Sequence, residues 1–463
     1  MLPHFTATSP SPLPLWILGE SGLAAWLRDQ DGRVQEWVRG NDFKAQEGKL
    51  LLLPGETGRV SGAVLGIGAG RAVPVYAAAA FSSALPPGDY VIRDAAGLSP
   101  PRLALGWALG AYRFDRSKRA AAAPPAARLV VGDDIGEEAS RLAEAVGLVR
   151  DLVNTPANDM GPAELADAAR PLAAAHGARL AVVRGAELEQ KFPMVHRVGE
   201  AAARKPLLVD LVWGDESHPK LTLVGKGVCF DSGGLDLKSR DAMALMKKDM
   251  GGAANVLGFA KLVMGAGLPV RLRVLVPAIE NAIGGDAFRP GDVLKSRKGL
   301  SVEIGDTDAE GRLVLADALA CAAEEVPDLL IDMATLTGAA RSALGPDVPP
   351  FYSDDDCLAQ ELMTAAVAVD DPLWRMPLWP GYEPWLASRI ADLNNVADSP
   401  LAGSITAALF LKRFAEGARS WIHADIHAWN TKALPGQPVG GEAQGMRALY
   451  ELAKRRWPTS SSR

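Results

Sequence analysis

The sequence predicts an α/β protein: a small N-terminal α/β domain, then a larger C-terminal domain whose central mixed sheet is flanked by helices. Three observations carry that expectation. The chain has 463 residues, too many for one average domain. Short apolar runs of strand type alternate with runs of helical spacing along most of it. One alanine–proline tract, Arg119–Arg128, interrupts both patterns, because Pro124 and Pro125 cannot sit inside a helix.

Residues 1–134 form the expected N-terminal domain, with the tract at about 119–128 as its linker. Strand-like runs occur there at Leu50–Leu53, Ala72–Tyr76 and Asp89–Arg93, and Arg102–Tyr112 has helical spacing. Residues 135–153 read as a connecting helix. Leu142, Ala145, Val146, Val149 and Leu152 recur at helical spacing until Asn154-Thr155-Pro156 ends the pattern. From 154 to 463, buried-type strands at Leu207–Trp213, Leu221–Gly225, Val270–Pro277 and Leu329–Met333 alternate with helices at Ala253–Met264, Arg312–Glu325, Ile405–Phe414 and Glu442–Arg456. Functional groups in such folds gather at strand C-terminal ends, in the loops that lead into helices.

Composition narrows the class. Apolar residues make up 48% and charged residues 22%, the balance of a soluble globular enzyme. The net charge of -6 argues against a nucleic-acid-binding surface over the whole molecule. Cys229, Cys321 and Cys357 show no paired spacing, which fits a reducing compartment. The early apolar run Leu13–Leu18 is broken by proline and has no basic lead-in, so it is a poor signal peptide. No run approaches the ~20 apolar residues of a membrane span. The expectation is a cytoplasmic protein with no membrane partner.

Two stretches carry chemistry. Val224–Gly234 reads V-G-K-G-V-C-F-D-S-G-G, and Gly305–Leu313 reads G-D-T-D-A-E-G-R-L; Lys238 and Asp249 lie between them. Asp231, Asp249, Asp308 and Glu310 offer up to four negative charges, enough to balance two divalent cations. The chain has six histidines, none in an H-E-x-x-H or H-x-H pattern, which disfavours a His-ligated zinc site. Carboxylate-rich ligation suits Zn²⁺ or Mn²⁺, and Mg²⁺ as well. Glycines bracket the acids and permit tight turns and close approach of backbone to ions. Arg312 opens a helix, where a guanidinium and free N–H groups suit an anion. Any one of these acids alone is more often a surface or turn residue, and Lys226 alone a solvated lysine. The joint pattern is the signal, and it points to a metallohydrolase.

The same residues resemble the leucine aminopeptidase family of two-metal exopeptidases. The likeness runs in order through R-D-L-V-N-T-P-A-N-D (Arg150–Asp159), K-G-V-C-F-D-S-G-G, L-K-S (Leu237–Ser239), M-K-K-D-M-G-G-A-A (Met246–Ala254), E-N through R-P-G-D (Glu280–Asp292), D-T-D-A-E-G-R-L, A-T-L-T-G (Ala334–Gly338) and G-S-I-T-A-A-L-F-L. It spans about 150–430, whereas the first 120 residues match weakly. The resemblance implies that residues 154–463 are a catalytic metallopeptidase domain. It implies that Lys226, Asp231, Asp249 and Glu310 hold the tighter ion, and Asp231, Asp308 and Glu310 the more exchangeable one. Lysine ligation requires a neutral amine, so the site is expected to depress the Lys226 pKa strongly through the nearby cations. Lys238 would polarise the scissile carbonyl, and Arg312 would hold a bicarbonate that acts as the base. Met246, Thr335 and Gly338 match positions lining the pocket for the first side chain.

The implied activity is removal of N-terminal leucine and other, mainly apolar, residues from peptides by a water activated between two metal ions. The family also implies a homohexamer. Three positions depart from its pattern: Asp306 in place of asparagine, Cys229 in place of threonine, and His427 where small residues usually follow D-I. His423 and His427 read as packing residues before metal ligands. Two other functions compete. A DNA-binding accessory role, shown by some family members, requires a basic groove that the acidic balance opposes. A metal-dependent phosphohydrolase would use the same carboxylates, but no phosphate loop is recognisable.

Overall fold

The structure is a computed structural model that describes residues 2–69, 76–119 and 127–459. The chain divides into two compact units, Met1–Gly147 with Thr431–Val439, and Leu148–Asn430 with Gly440–Arg463. The expected strand run at Ala72–Tyr76 and the centre of the Arg119–Arg128 tract lie outside the described residues.

The first unit is built on a six-stranded sheet in the order Phe5–Thr6, Ala127–Val130, Gly88–Asp94, Leu13–Leu18, Val60–Gly66, Leu50–Pro54. All pairings are parallel except that of the edge strand Leu50–Pro54. Leu13–Leu18 thus forms an interior strand whose Leu15, Ile17 and Leu18 are buried. Its pairing with Val60–Gly66 starts at Leu15, just past the missing N–H of Pro14. The helix expected at Arg102–Tyr112 runs Pro100–Gly110, with both prolines in the first turn, where no N–H is needed. The helix expected over 135–153 runs Asp133–Asn154 and begins on two aspartates that suit its positive end.

The second unit carries a nine-stranded mixed sheet. Its spine is four parallel strands, Trp421–Asp425, Leu329–Ala334, Lys220–Gly225 and Arg271–Asn281. Leu207–Trp213 and Arg179–Arg184 extend one side antiparallel, and Pro350–Tyr352 with Trp374–Arg375 the other. The spine strands are buried on both faces, as their continuous Leu/Val/Ile runs demand. Helix Gly251–Gly265 covers the sheet, and helix Glu310–Ala323 is buried at every position. Leu313, Leu315 and Leu319 of that helix are fully buried, each worth roughly 1.5–3 kcal/mol of transfer free energy.

Two boundaries differ from the sequence expectation by four residues, each for a physical reason. The strand expected to stop at Pro277 continues to Asn281, because Ala278–Asn281 pair in parallel with Gly227–Asp231. The helix expected from Glu442 starts at Met446. Asp371, distant in sequence, accepts the N–H groups of Gly445, Arg447 and Ala448 at 3.0, 2.9 and 3.0 Å, and so sets the helix start.

Candidate metal centre

The sheet topology brings the predicted residues to one edge. Lys226 follows directly on strand Lys220–Gly225, Asp231 ends Gly227–Asp231, and Thr335 follows Leu329–Ala334. Asp249 caps the short turn Met246–Lys248, and Glu310 opens helix Glu310–Ala323. Lys226, Asp231, Asp249 and Glu310 are each at most 3% exposed.

Two lysines thread the acids. The Lys226 ammonium lies 2.7 Å from Asp249 Oδ2 and 3.0 Å from Glu310 Oε1, and donates to the Thr335 carbonyl at 3.2 Å. Lys238 Nζ lies 2.8 Å from Asp231 Oδ2 and also contacts Asp308 Oδ1. Carboxylate oxygens of Asp231, Asp308 and Glu310 fall within 4.8 Å of one another. Like charges this close in a buried cleft oppose ionisation. Burial and then Asp231 push Asp308 up to about 6, and the same two causes push Glu310 well above the carboxylate range. Burial draws the Lys226 amine down, but Asp249, Glu310 and Asp231 outweigh it, so its pKa stands above the ordinary lysine value. Among the protein groups alone, three carboxylates hold the proton on, and the expected depression depends on the cations. Burial likewise lowers Lys238, and Asp231 and Asp308 reverse that.

Several buried polar atoms in the cluster lack protein hydrogen bonds. Glu310 Oε2 has no hydrogen bond among the described residues, and the ion pair of this carboxylate to Lys226 is made through Oε1. Leaving a carboxylate oxygen bare in the interior is costly unless a cation meets it. Arg312 spends Nη1 on the Asn395 carbonyl at 2.6 Å, while its buried Nε has no partner, and burial lowers its pKa to about 10. An unspent guanidinium edge suits an anion.

Glycines permit the approach. A Cβ on Gly311 would sit 2.4 Å from Lys226 Cε, so only glycine lets the helix start close over that lysine. Gly233 and Gly234 turn the chain after Asp231 at φ of 87° and 67°.

A supporting shell holds these groups, and of its members Asn281, Asn395 and Asp425 were not singled out in the sequence, while Thr335 was expected in a different role. Asn281 Nδ2 donates to Asp231 Oδ1 at 2.9 Å, and Thr335 Oγ1 to Asp249 Oδ1 at 2.8 Å. Asn395 accepts from Gly305 N and donates to the Asp306 carbonyl, clamping the loop that carries Asp308. Asp425 accepts from Leu336 N, Thr337 N and the Thr337 hydroxyl, fixing the loop Thr335–Gly338. Strand extension to Asn281 is the one signal that could have exposed the first of these.

The remaining expected residues fall around this core. Met246 is half-buried in the short turn that leads to Asp249, and Gly338 is exposed in the loop that Thr335 begins. Asp306 accepts from Asp308 N at 2.7 Å and so shapes the loop. Cys229 is fully buried, and burial raises its thiol well above the usual range, which makes it a packing residue. His423 stacks on Tyr352 and Trp421 and pairs with Asp332 at 2.5 Å. His427 Nδ1 meets Arg341 Nη1 at 2.9 Å. Neither histidine joins the acid cluster.

A carboxylate- and lysine-lined centre at the strand ends of an α/β unit defines a hydrolase of the non-histidine kind. The chain belongs to the cytosol aminopeptidase family: residues 147–450 match its catalytic domain, and residues 13–132 match the M17 aminopeptidase N-terminal domain. It is thus an aminopeptidase-type hydrolase. It is 41% identical over 365 residues to a probable cytosol aminopeptidase of Syntrophotalea carbinolica, covering 75% of this chain and 73% of that one. Its structure resembles that of cytosol aminopeptidase from Coxiella burnetii, with TM-score 0.92 and 44% identity over 97% of this chain and 98% of that one. It also resembles the bottromycin maturation enzyme BotP in complex with Mn, with TM-score 0.86 and 33% identity over 96% and 99%.

Proposed function

We propose that this protein removes N-terminal residues, leucine and other mainly apolar ones, from peptides at a centre that holds two divalent metal ions. The observation that carries the proposal is the buried Glu310 Oε2 without a hydrogen bond, inside a cluster of four acids and two lysines. Lys226, Asp231, Asp249 and Glu310 are the ligands for one ion, and Asp231, Asp308 and Glu310 for the other. Zn²⁺ and Mn²⁺ fit this donor set best, with Mg²⁺ compatible, and the similar structure in complex with Mn supports a divalent ion. Bound there, the ions would acidify a water and anchor the substrate's free α-amine. Their charge would also offset the carboxylates that now keep Lys226 protonated.

The protein groups do the rest. Lys238, which pairs with Asp231 and Asp308, would stabilise the oxyanion as the scissile carbonyl becomes tetrahedral. Arg312, whose Nε has no hydrogen bond among the described residues, would hold a bicarbonate, which would supply a base for the proton that the leaving amine takes up. Met246, Thr335 and Gly338 border the first side chain. An apolar pocket discriminates by only ~1–3 kcal/mol per methylene, so acceptance is broad.

The proposal extends to a cytoplasmic homohexamer acting on peptides. Support comes from the family and from exposed Trp374, Trp379, Ile390 and Leu401. Among the described residues no helix is long and apolar enough to cross a membrane. The test is hydrolysis of leucyl-p-nitroanilide by chelator-treated protein reloaded with Zn²⁺, Mn²⁺ or Mg²⁺. Cleavage that returns with metal and fails on the N-acetylated substrate is expected. Cleavage of p-nitrophenyl phosphate instead would defeat the proposal.

A further inference from the structure

Outside the acid cluster, one group of basic side chains has no carboxylate of its own. Lys248 is 3% exposed, and its ammonium has no hydrogen bond or ion pair among the described residues. Lysine is almost never buried this deeply without a partner. Beside it stand Arg341 and His427. The only hydrogen bond of the Arg341 side chain runs from Nη1 to His427 Nδ1, and it makes no ion pair among the described residues.

The nearest acids are already engaged. Asp249 is tied to Lys226 and Thr335, and Asp425 to the loop N–H groups and hydroxyl at Leu336 and Thr337. Burial, with Lys248 and Arg341 alongside, drives His427 down to about 3, so its imidazole is neutral. A neutral ring that accepts from arginine at Nδ1 carries its proton on Nε2, which makes it a further donor. The group therefore offers a guanidinium, an ammonium and an N–H, with no acceptor among them.

Its position matters. A Cβ on Gly338 would lie 3.0 Å from Arg341 Nη2, so the guanidinium rests against the backbone of a residue proposed to border the first side chain. Lys248 lies two residues from Met246, another such residue, in the same short turn. We infer that Arg341, Lys248 and His427 form a carboxylate-binding subsite at the edge of the first side-chain pocket, extending the accepted N-terminal residues to glutamate and aspartate. This inference rests on the aminopeptidase reading above and refines its substrate class. Arg341 is the specificity residue of the three, because its planar fork matches a carboxylate in two bonds.

Glutamyl-, glutaminyl- and leucyl-p-nitroanilide test it with the metal-loaded full chain. Glutamyl and glutaminyl groups have nearly the same shape, so the ratio of their kcat/KM values isolates the charge. A ratio of roughly 10 or more is expected for the wild type, falling toward about 1 in Arg341→Ala and in Lys248→Ala. Reading the ratio within each variant cancels any general loss of folding or metal. A wild-type ratio at or below about 1, or a ratio unmoved in both variants, overturns the subsite. If none of the three substrates is cleaved, the peptidase reading fails. Calorimetric binding of free glutamate against glutamine to wild type and Arg341→Ala then still decides the subsite, with preference for glutamate lost in the variant expected and equal binding contradicting it.

Discussion

Gly311→Ala sets two physical effects against each other. In a helix interior alanine is favoured over glycine by about 1 kcal/mol, so propensity alone predicts a more stable protein. The structure predicts the reverse. The new Cβ would lie 2.4 Å from Lys226 Cε and 2.7 Å from its Nζ, far inside contact distance. Lys226 cannot swing aside freely, because its ammonium is held by Asp249, Glu310 and the Thr335 carbonyl. Moving it strands two buried carboxylates, and breaking a buried pair costs about 3–5 kcal/mol. Net destabilisation is then about 2–4 kcal/mol, a fall in Tm on the order of 5 °C. Turnover should fall further, by roughly 10²-fold, since an ångström of misplacement at a catalytic centre has that effect. Thermal unfolding and leucyl-p-nitroanilide hydrolysis measure the two. A variant that melts higher and cleaves at the wild-type rate refutes the argument that Lys226 is held over Gly311.

Three further outcomes are expected. Glu310→Ala should abolish turnover with the fold intact by circular dichroism, whereas Arg312→Ala should slow it less, because water partly replaces a proton relay; the reverse ranking in steady-state kinetics would contradict the assigned roles. Glu442→Ala leaves the Arg150 guanidinium buried without the carboxylate that meets it at 2.8 Å, so a loss of about 3–5 kcal/mol and roughly 10 °C in Tm should follow, and a shift under about 2 °C would count against it. Burial, opposed by backbone donors including Arg297 N, holds Asp317 up at about 7 against 3.8. A raised carboxyl pKa means the folded state keeps its proton longer, so this contribution is complete below about pH 4 and is lost as pH rises through about 7. The Tm of Asp317→Asn relative to wild type should climb between about pH 4 and pH 7 and level off above, and a flat difference would contradict the assignment.

The chemistry of the site was legible because it sits in short contiguous motifs. Lys226 and Asp231 share one strand–turn, and Asp308, Glu310 and Arg312 share another, so residue types and glycine spacing exposed them. Alternating strands and helices likewise read directly, since buried parallel strands are unbroken apolar runs. What escaped depends on partners far along the chain. Arg312 meets Asn395 across 83 residues, and Asp371 caps a helix that begins beyond Gly445. No local pattern encodes such pairs. Pro277 misled because a proline in a strand usually marks its end, yet here pairing with Gly227–Asp231 carries the strand on to Asn281. Lys248 looked like an ordinary charged residue, and only three-dimensional burial without a partner gives it meaning. Sequence order likewise hides that three carboxylates surround the Lys226 amine and hold its proton on when no cation is beside it.

Anomalous diffraction at the manganese edge, from crystals of the Mn²⁺-loaded protein, tests the central claim most directly. Two peaks about 3.5–4 Å apart are expected, one beside Lys226 and Asp249 and the other beside Asp308, with Asp231 and Glu310 touching both. A single peak, or peaks away from Glu310, would contradict the two-ion centre.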